Sequence, residues 1–215
     1  MSQTPQKPAY LSDTYWSQLD PLSRELCERI APLPTAAYTV DVSVDRIESF
    51  LASMDSDAMA MGGHLELEPD FQRGHVWSDE QRTQYIEAFV RRIADCKIIF
   101  NLPAWSSDKM RGDIPAHVIQ CVDGLQRLTS LRKFMAGEIA VFGGLKAQDL
   151  LQTAFSPRRL GARIQIHVHE FHWRSDLLSF YIQHNSGGSV HAPEEIERVR
   201  ALRDSTLRNQ LVRQN

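Results

Sequence analysis

Apolar and polar positions alternate along this chain with two different periods, and the switches between them mark its elements. Tyr38-Thr39-Val40-Asp41-Val42 alternates every second residue, which predicts a strand. From Asp45 to Met54 the spacing of Ile47, Phe50 and Leu51 is helical. Met61-Gly62-Gly63 reads as a turn, and His64 to Glu68 as a short strand ending at Pro69. Ser78, with Gln81 three residues on, forms a capping box. The helix it opens, Asp79 to Ile93, is predicted to bury Tyr85, Ile86, Phe89, Val90 and Ile93. Lys97 to Leu102 is a strand. His117 to Val122 is another, apolar enough to be central. A helix after Gly124 buries Leu125, Leu128, Leu131 and Met135 and stops near Gly137.

Further on, Arg163 to Glu170 alternates as a strand, with Ile164, Ile166 and Val168 on one face. Asp176 to Gln183 is a short helix and Asn185 to Ser189 a loop. Pro193 opens a final helix whose dipole Glu194 and Glu195 complement. The predicted class is α+β: a mixed sheet with helices over residues 36–172, then a mainly helical part over 173–215. Residues 1–35 form an arm, where five prolines limit regular structure and Asp20 to Ile30 is one short helix.

Composition adds little to this picture. Hydrophobic residues make up 42% and charged residues 24% of 215, ordinary for a globular chain with a sizeable core. No apolar run is long enough for a membrane span, and the polar start lacks a signal peptide, so the expected location is the cytoplasm. Cys27, Cys96 and Cys121 are odd in number and hold no C-x-x-C pair, against a disulfide scaffold or zinc knuckle. Cys121 reads as a small buried residue. Charge is uneven: residues 1–60 hold 4 basic and 9 acidic groups, residues 151–215 hold 9 basic and 6 acidic. The basic groups of that last stretch are all arginines. Among them, Arg158, Arg159 and Arg198 are candidates for a DNA backbone, because the guanidinium fork suits phosphate oxygens. A solvated helix face would have the same composition.

The chemistry concentrates at Val122-Asp123-Gly124-Leu125-Gln126-Arg127, where a buried strand runs straight into a helix. A helix N-terminus offers unpaired N–H groups and partial positive charge to a phosphate. Gly124 allows close backbone approach, Arg127 clamps from one turn in, and Asp123 can hold Mg²⁺ or accept a proton from an attacking hydroxyl. A plainer reading makes Asp123 a helix cap and Arg127 a surface ion pair. A second segment, Glu68 to Trp77, supplies Gln72 and Arg73 for a nucleotide, while Trp77 stacks on a base or anchors the loop. A third, Phe180 to Ser189, contains Asn185, Gly187 and Gly188, which stop a helix or cradle an anion. His167 and His169 share a strand face with metal-ligand spacing, with His172 beyond; the alternatives are a polar outer face or an acid–base role.

Taken together, P-x-F-Q-R-G-x-x-W at Pro69–Trp77, V-D-G-x-Q-R-L-T-S-L at Val122–Leu131 and the Phe180–Ser189 segment resemble the N-terminal domain of GmrSD-type modification-dependent restriction enzymes. That domain is similar in fold to the ParB/sulfiredoxin superfamily, whose G-x-x-R turn binds nucleotide phosphates and corresponds here to Gly124 and Arg127. The family usually has Gln where this chain has Leu125. Sulfiredoxins carry their cysteine nucleophile at that position, so sulfinic-acid reduction is not expected. Free-serine kinases of the fold carry D-G-x-x-R, which Asp123 matches, and a second carboxylate would come from Glu68 or Asp70.

The resemblance implies ATP or GTP with Mg²⁺ as ligands and DNA, modified or not, as partner; it is compatible with an oligomer. Full-length relatives add a nuclease domain, for which no room is expected after Arg200. Stand-alone phage relatives are implied in thymine hypermodification, which points to a kinase acting on 5-hydroxymethyluracil in DNA, in the host cytoplasm. The alternatives are an NTP-hydrolysing subunit of a restriction or defence system and a non-catalytic DNA-binding module.

Overall fold

The computed structural model describes residues 7, 11, 13–72, 74, 76–106, 111–158, 163–186 and 193–213. The chain divides into two compact units, Met1–Thr35 and Ala36–Asn215. In the first, α1 spans Asp13–Gln18 and α2 spans Pro21–Ile30. The prolines therefore allow one more helix than the pattern predicts. Pro21 sits in the first turn of α2, where its missing N–H costs nothing, and Asp20 caps it by accepting the Ser23 N–H at 3.0 Å.

In the second unit the order is β1 (Tyr38–Ser43), a 3₁₀ turn (Val44–Arg46), α3 (Ile47–Ala60), β2 (His64–Glu66), α4 (Asp79–Val90), β3 (Lys97–Asn101) and β4 (Val118–Asp123). There follow α5 (Leu125–Met135), α6 (Ala147–Leu150), β5 (Arg163–His169), α7 (Arg174–Ser186) and α8 (Pro193–Arg213). The strands form one mixed sheet in the order β1-β5-β3-β4-β2. β5 runs parallel to β3 and β2 to β4, while β1 and β5, and β3 and β4, are antiparallel. The fold is α+β, with a helical C-terminal part, as the period switches predict. Among the described residues no helix is long and apolar enough to cross a membrane.

β4 reads as a continuous apolar run because both faces are covered. Ile119 and Cys121 join the core formed with α3, α4 and α5. On the opposite face α7 packs down, and its Phe180 ring lies 4.6 Å from that of His169 on β5. Burial pushes the Cys121 thiol up to about 12, helped by the neighbouring Asp123 charge, so it stays a protonated packing residue.

Three boundaries differ from expectation. β2 stops at Glu66, which leaves Glu68 in the following loop. α4 stops at Val90, because Arg92 adopts φ +64° and turns the chain, so Ile93 is 76% exposed rather than buried. α7 runs from Arg174 to Ser186, three residues beyond its predicted end. Asn185 and Ser186 therefore close its last turn, their side chains donating back to Tyr181 O and Ile182 O at 2.8 and 2.6 Å.

Gly124 joins β4 to α5 at φ +96°, in the left-handed region. A Cβ there would lie 2.7 Å from Ile98 Cδ1 and 3.0 Å from Lys97 O. The glycine is thus required to pack the turn against β3, whatever binds above it. Gly124→Ala should destabilise the fold by roughly 2 kcal/mol or more, combining left-handed strain with the clash, as read from urea unfolding. A loss under about 0.5 kcal/mol would count against this geometry.

His169 gives a second expectation. Burial lowers its pKa to about 4 from the usual 6.5, aided by repulsion from His167, His184 and Lys97. Between those values the unfolded chain binds a proton that the fold does not, so stability falls as pH drops from 6.5 towards 4. The ceiling is about 3 kcal/mol, which solvent screening reduces towards about 2. Unfolding of His169→Phe across that window should show a shallower slope than the parent.

Candidate functional site

The end of β4 carries charge into the interior. Asp123 closes the strand, and α5 begins two residues later at Leu125, after a Gly124 cap that has no side chain to accept a first-turn N–H. Asp123 is therefore not the cap of α5. Its carboxylate pairs with Arg127, one turn along the helix, and the other arm of that guanidinium pairs with Asp95 from the loop before β3. From the far side His184 of α7 brings Nε2 to 3.4 Å of Asp123 Oδ2. The His184 ring stacks on Phe180 at 5.6 Å, and Phe180 packs on His169 in turn. A row thus crosses the end of the sheet: Asp95, Arg127, Asp123, His184, Phe180.

The electrostatics follow from this row. Burial raises the Asp123 pKa, but the hydrogen bond from His184, the Arg127 charge and the Gly124 N–H outweigh it and hold the carboxyl below its usual range. Burial acts against the Arg127 charge, and Asp123 and Asp95 more than restore it. Asp123 is a fixed anion and Arg127 a fixed cation. The Asp95 side chain is 62% exposed, so it is the ligand of Arg127 that an incoming anion can displace.

The other predicted site residues divide into those at this row and those used elsewhere. Gln72 donates its Nε2 to Cys121 O at 2.5 Å, fastening its loop to β4. Gln126 accepts the Trp77 N–H at 3.3 Å and donates to Gly74 O at 2.9 Å. Both amides position the loop beside the turn. Trp77 packs 5.4 Å from Tyr85, which is the anchoring role of its two readings. Arg73, Gly187, Gly188 and Arg159 lie outside the described residues.

Glu68 and Asp70 are exposed, and Asp70 binds Arg174 through both carboxylate oxygens at 2.6 and 2.7 Å. The second carboxylate at the row is Asp95 instead. Arg198 donates to Asp70 O, Phe71 O and Glu195 Oε1 at 3.0, 2.7 and 2.8 Å, buttressing that same loop. Arg158 pairs with Asp45 at 3.3 Å, on β1's side of the sheet. Asn185 is buried in α7, next to His184.

Sequence reasoning missed Asp95 and His184. Asp95 sits two residues before β3, whose start lies beside the end of β4 in an antiparallel pair. His184 precedes Asn185 within the third segment, and its only signal was that position. His172 lies 3.9 Å from Glu170. Among the described residues no three His, Cys, Asp or Glu side chains gather to hold a metal.

The family model described as "GmrSD restriction endonuclease, N-terminal domain" matches residues 53–212. No curated protein and no solved structure matches the chain. The matched span takes in the Glu68–Trp77 loop, the Asp123–Arg127 turn and α7, the three parts that meet at the row. A match over most of the chain, with those parts brought together in space, makes this protein a member of the GmrSD restriction endonuclease N-terminal domain family.

Proposed function

We propose that the chain binds a nucleoside triphosphate with Mg²⁺ at the Asp123–Arg127 turn and cleaves its terminal phosphate, serving a restriction or defence system that acts on DNA. The observation that carries this is the Asp95–Arg127–Asp123–His184 row at a helix start whose glycine cap supplies no side-chain hydrogen bond. Phosphates take the first-turn N–H groups of α5 and the arm of Arg127 that Asp95 holds. Asp123 is the residue of the turn that would hold Mg²⁺, sharing it with the phosphate oxygens. The ion neutralises phosphate charge when bound.

Asp123 is too strongly held as an anion to be an effective base. It orients His184 instead. With Nε2–H directed at Asp123, Nδ1 keeps its lone pair and accepts the proton of the attacking oxygen. Family membership favours water as that oxygen, which makes the chain an NTP-driven switch. The intact D-G-x-x-R spacing supports a second reading, in which the hydroxymethyl group of 5-hydroxymethyluracil is the acceptor and the chain is a DNA kinase. Such a base would have to leave the duplex to reach Asp123.

γ-Labelled ATP and GTP with Mg²⁺, incubated with duplex DNA containing thymine or 5-hydroxymethyluracil, distinguish these. Free phosphate without labelled DNA is the expected result. Label entering only the hydroxymethylated DNA would establish the kinase instead. Absence of any nucleotide binding would leave a DNA-binding module and overturn the proposal.

Two sets of variants test the roles. Asp123→Asn and His184→Gln should each lower turnover by about 10²–10⁴-fold while nucleotide affinity changes little, the range for losing general-base action. Arg127→Ala should weaken nucleotide binding by about 10–100-fold, the loss of a charged hydrogen bond of about 1.5–3 kcal/mol. Normal turnover by Asp123→Asn would sink the mechanism.

A further inference from the structure

A cleft of about 590 Å³ lies on β1's side of the sheet, lined by β1, the 3₁₀ turn, the start of α3 and the arginines Arg46, Arg158 and Arg163. β1 pairs only with β5, so its outer edge presents backbone groups that no other described strand takes up. Arg46 and Arg163 are exposed and have no acidic partner among the described residues. Arg158 pairs with Asp45 at 3.3 Å, and Asp45 also accepts from Ser43 Oγ at 2.5 Å, so that carboxylate is already satisfied. Asp41 is the remaining acid of the cleft. Val40 and Phe50 give it an apolar wall.

Two guanidinium forks with no acidic partner among the described residues, beside an apolar wall, suit a phosphodiester followed by a sugar. We infer that this cleft binds a nucleic acid backbone, with Arg46 and Arg163 each taking a phosphate.

Its position fits the chemistry at Asp123. Arg163 opens β5, and β3 lies between β5 and β4. His167, four residues after Arg163, pairs with Ile99, which pairs in turn with Asp123. At about 4.8 Å per strand and 3.3 Å per residue, Arg163 and Asp123 are roughly 16 Å apart along the sheet. That is under half of one duplex turn of about 34 Å, so one bound segment can reach both places. Arg198, the sequence-derived candidate on α8, is by contrast occupied in holding the Asp70–Phe71 loop.

The inference rests on the reading that the chain acts on DNA. Its test omits nucleotide, so it can fail while NTP cleavage stands, and the reverse. A fluorescein-labelled 20-base-pair duplex is titrated with the full chain, and anisotropy is followed across a salt series. Arg46→Gln/Arg163→Gln should weaken binding about tenfold or more and lower the salt slope by about two, one for each phosphate no longer neutralised. Arg208→Gln, at an exposed position of α8, removes one charge elsewhere and should change neither by more than about twofold. Asp41→Asn should tighten binding about twofold, a gain that misfolding cannot produce. Nucleotide turnover without DNA should be unchanged in all three.

Unaltered duplex affinity and slope in the double variant would overturn the inference. So would a double variant that loses inorganic phosphate or free nucleotide binding but keeps the duplex, since the cleft would then serve a small anion. A cleft that instead captured an acidic peptide, with duplex affinity unchanged, would also overturn it.

Discussion

The Asp123–Arg127 pair at the end of β4 is the constraint on which the rest of the second unit is arranged. Removing two charges from water costs several kcal/mol, and an ion pair recovers this only when further hydrogen bonds complete it. Here the completion comes from three directions: His184 of α7, Asp95 from the loop before β3, and the Gly124 N–H. Each fixes an element. α7 has to lie across the sheet, the loop before β3 has to fold back to the start of α5, and the turn has to be a glycine pressed against Ile98. A well-packed apolar pair would serve stability as well, so stability alone does not account for the cluster.

The Glu68–Trp77 loop shows how the same constraint is extended. Gln72 ties it to β4, Gln126 ties it to α5, Arg174 holds the Asp70 side chain, and Arg198 holds the backbone of Asp70 and Phe71. Four polar side chains from four places thereby seat one irregular segment beside the turn. A loop without regular structure has to satisfy its backbone groups in this way. The three sequence segments that look independent along the chain are one object in space, with the loop packed between the turn and the two C-terminal helices.

That object was only partly legible in the sequence. Local periodicity carried the strands, the capping box at Ser78 and the strand-to-helix turn, because those depend on neighbours in the chain. Partner assignments depend on strand order, which periodicity does not encode. Asp95 reaches Arg127 only because β3 and β4 are antiparallel neighbours, and His184 reaches Asp123 only because α7 crosses the opposite face. Without strand order, polarity alone points to Glu68 and Asp70 as the second carboxylate, yet both lie in the loop after β2 and Asp70 binds Arg174. Arg198 shows a similar limit: composition cannot separate an arginine that donates to a loop, as this one does, from one with no such bonds.

The distinction between occupied and free arginines also bears on how DNA and nucleotide would be kept apart. Arg127 is half-neutralised by a carboxylate that is itself fixed, so only a multiply charged ligand can compete for its other arm. A triphosphate does so better than a single phosphodiester, whose one charge must displace Asp95 without help from a metal ion. Among the described residues Arg46 and Arg163 are ion-paired to no carboxylate, and only Asp41 of their cleft opposes an anion. They can accept a singly charged phosphodiester at little cost, and a polymer can use both at once. The same side chain, with its charge already shared by carboxylates or not, would in this way sort the two proposed phosphate ligands between two parts of one sheet.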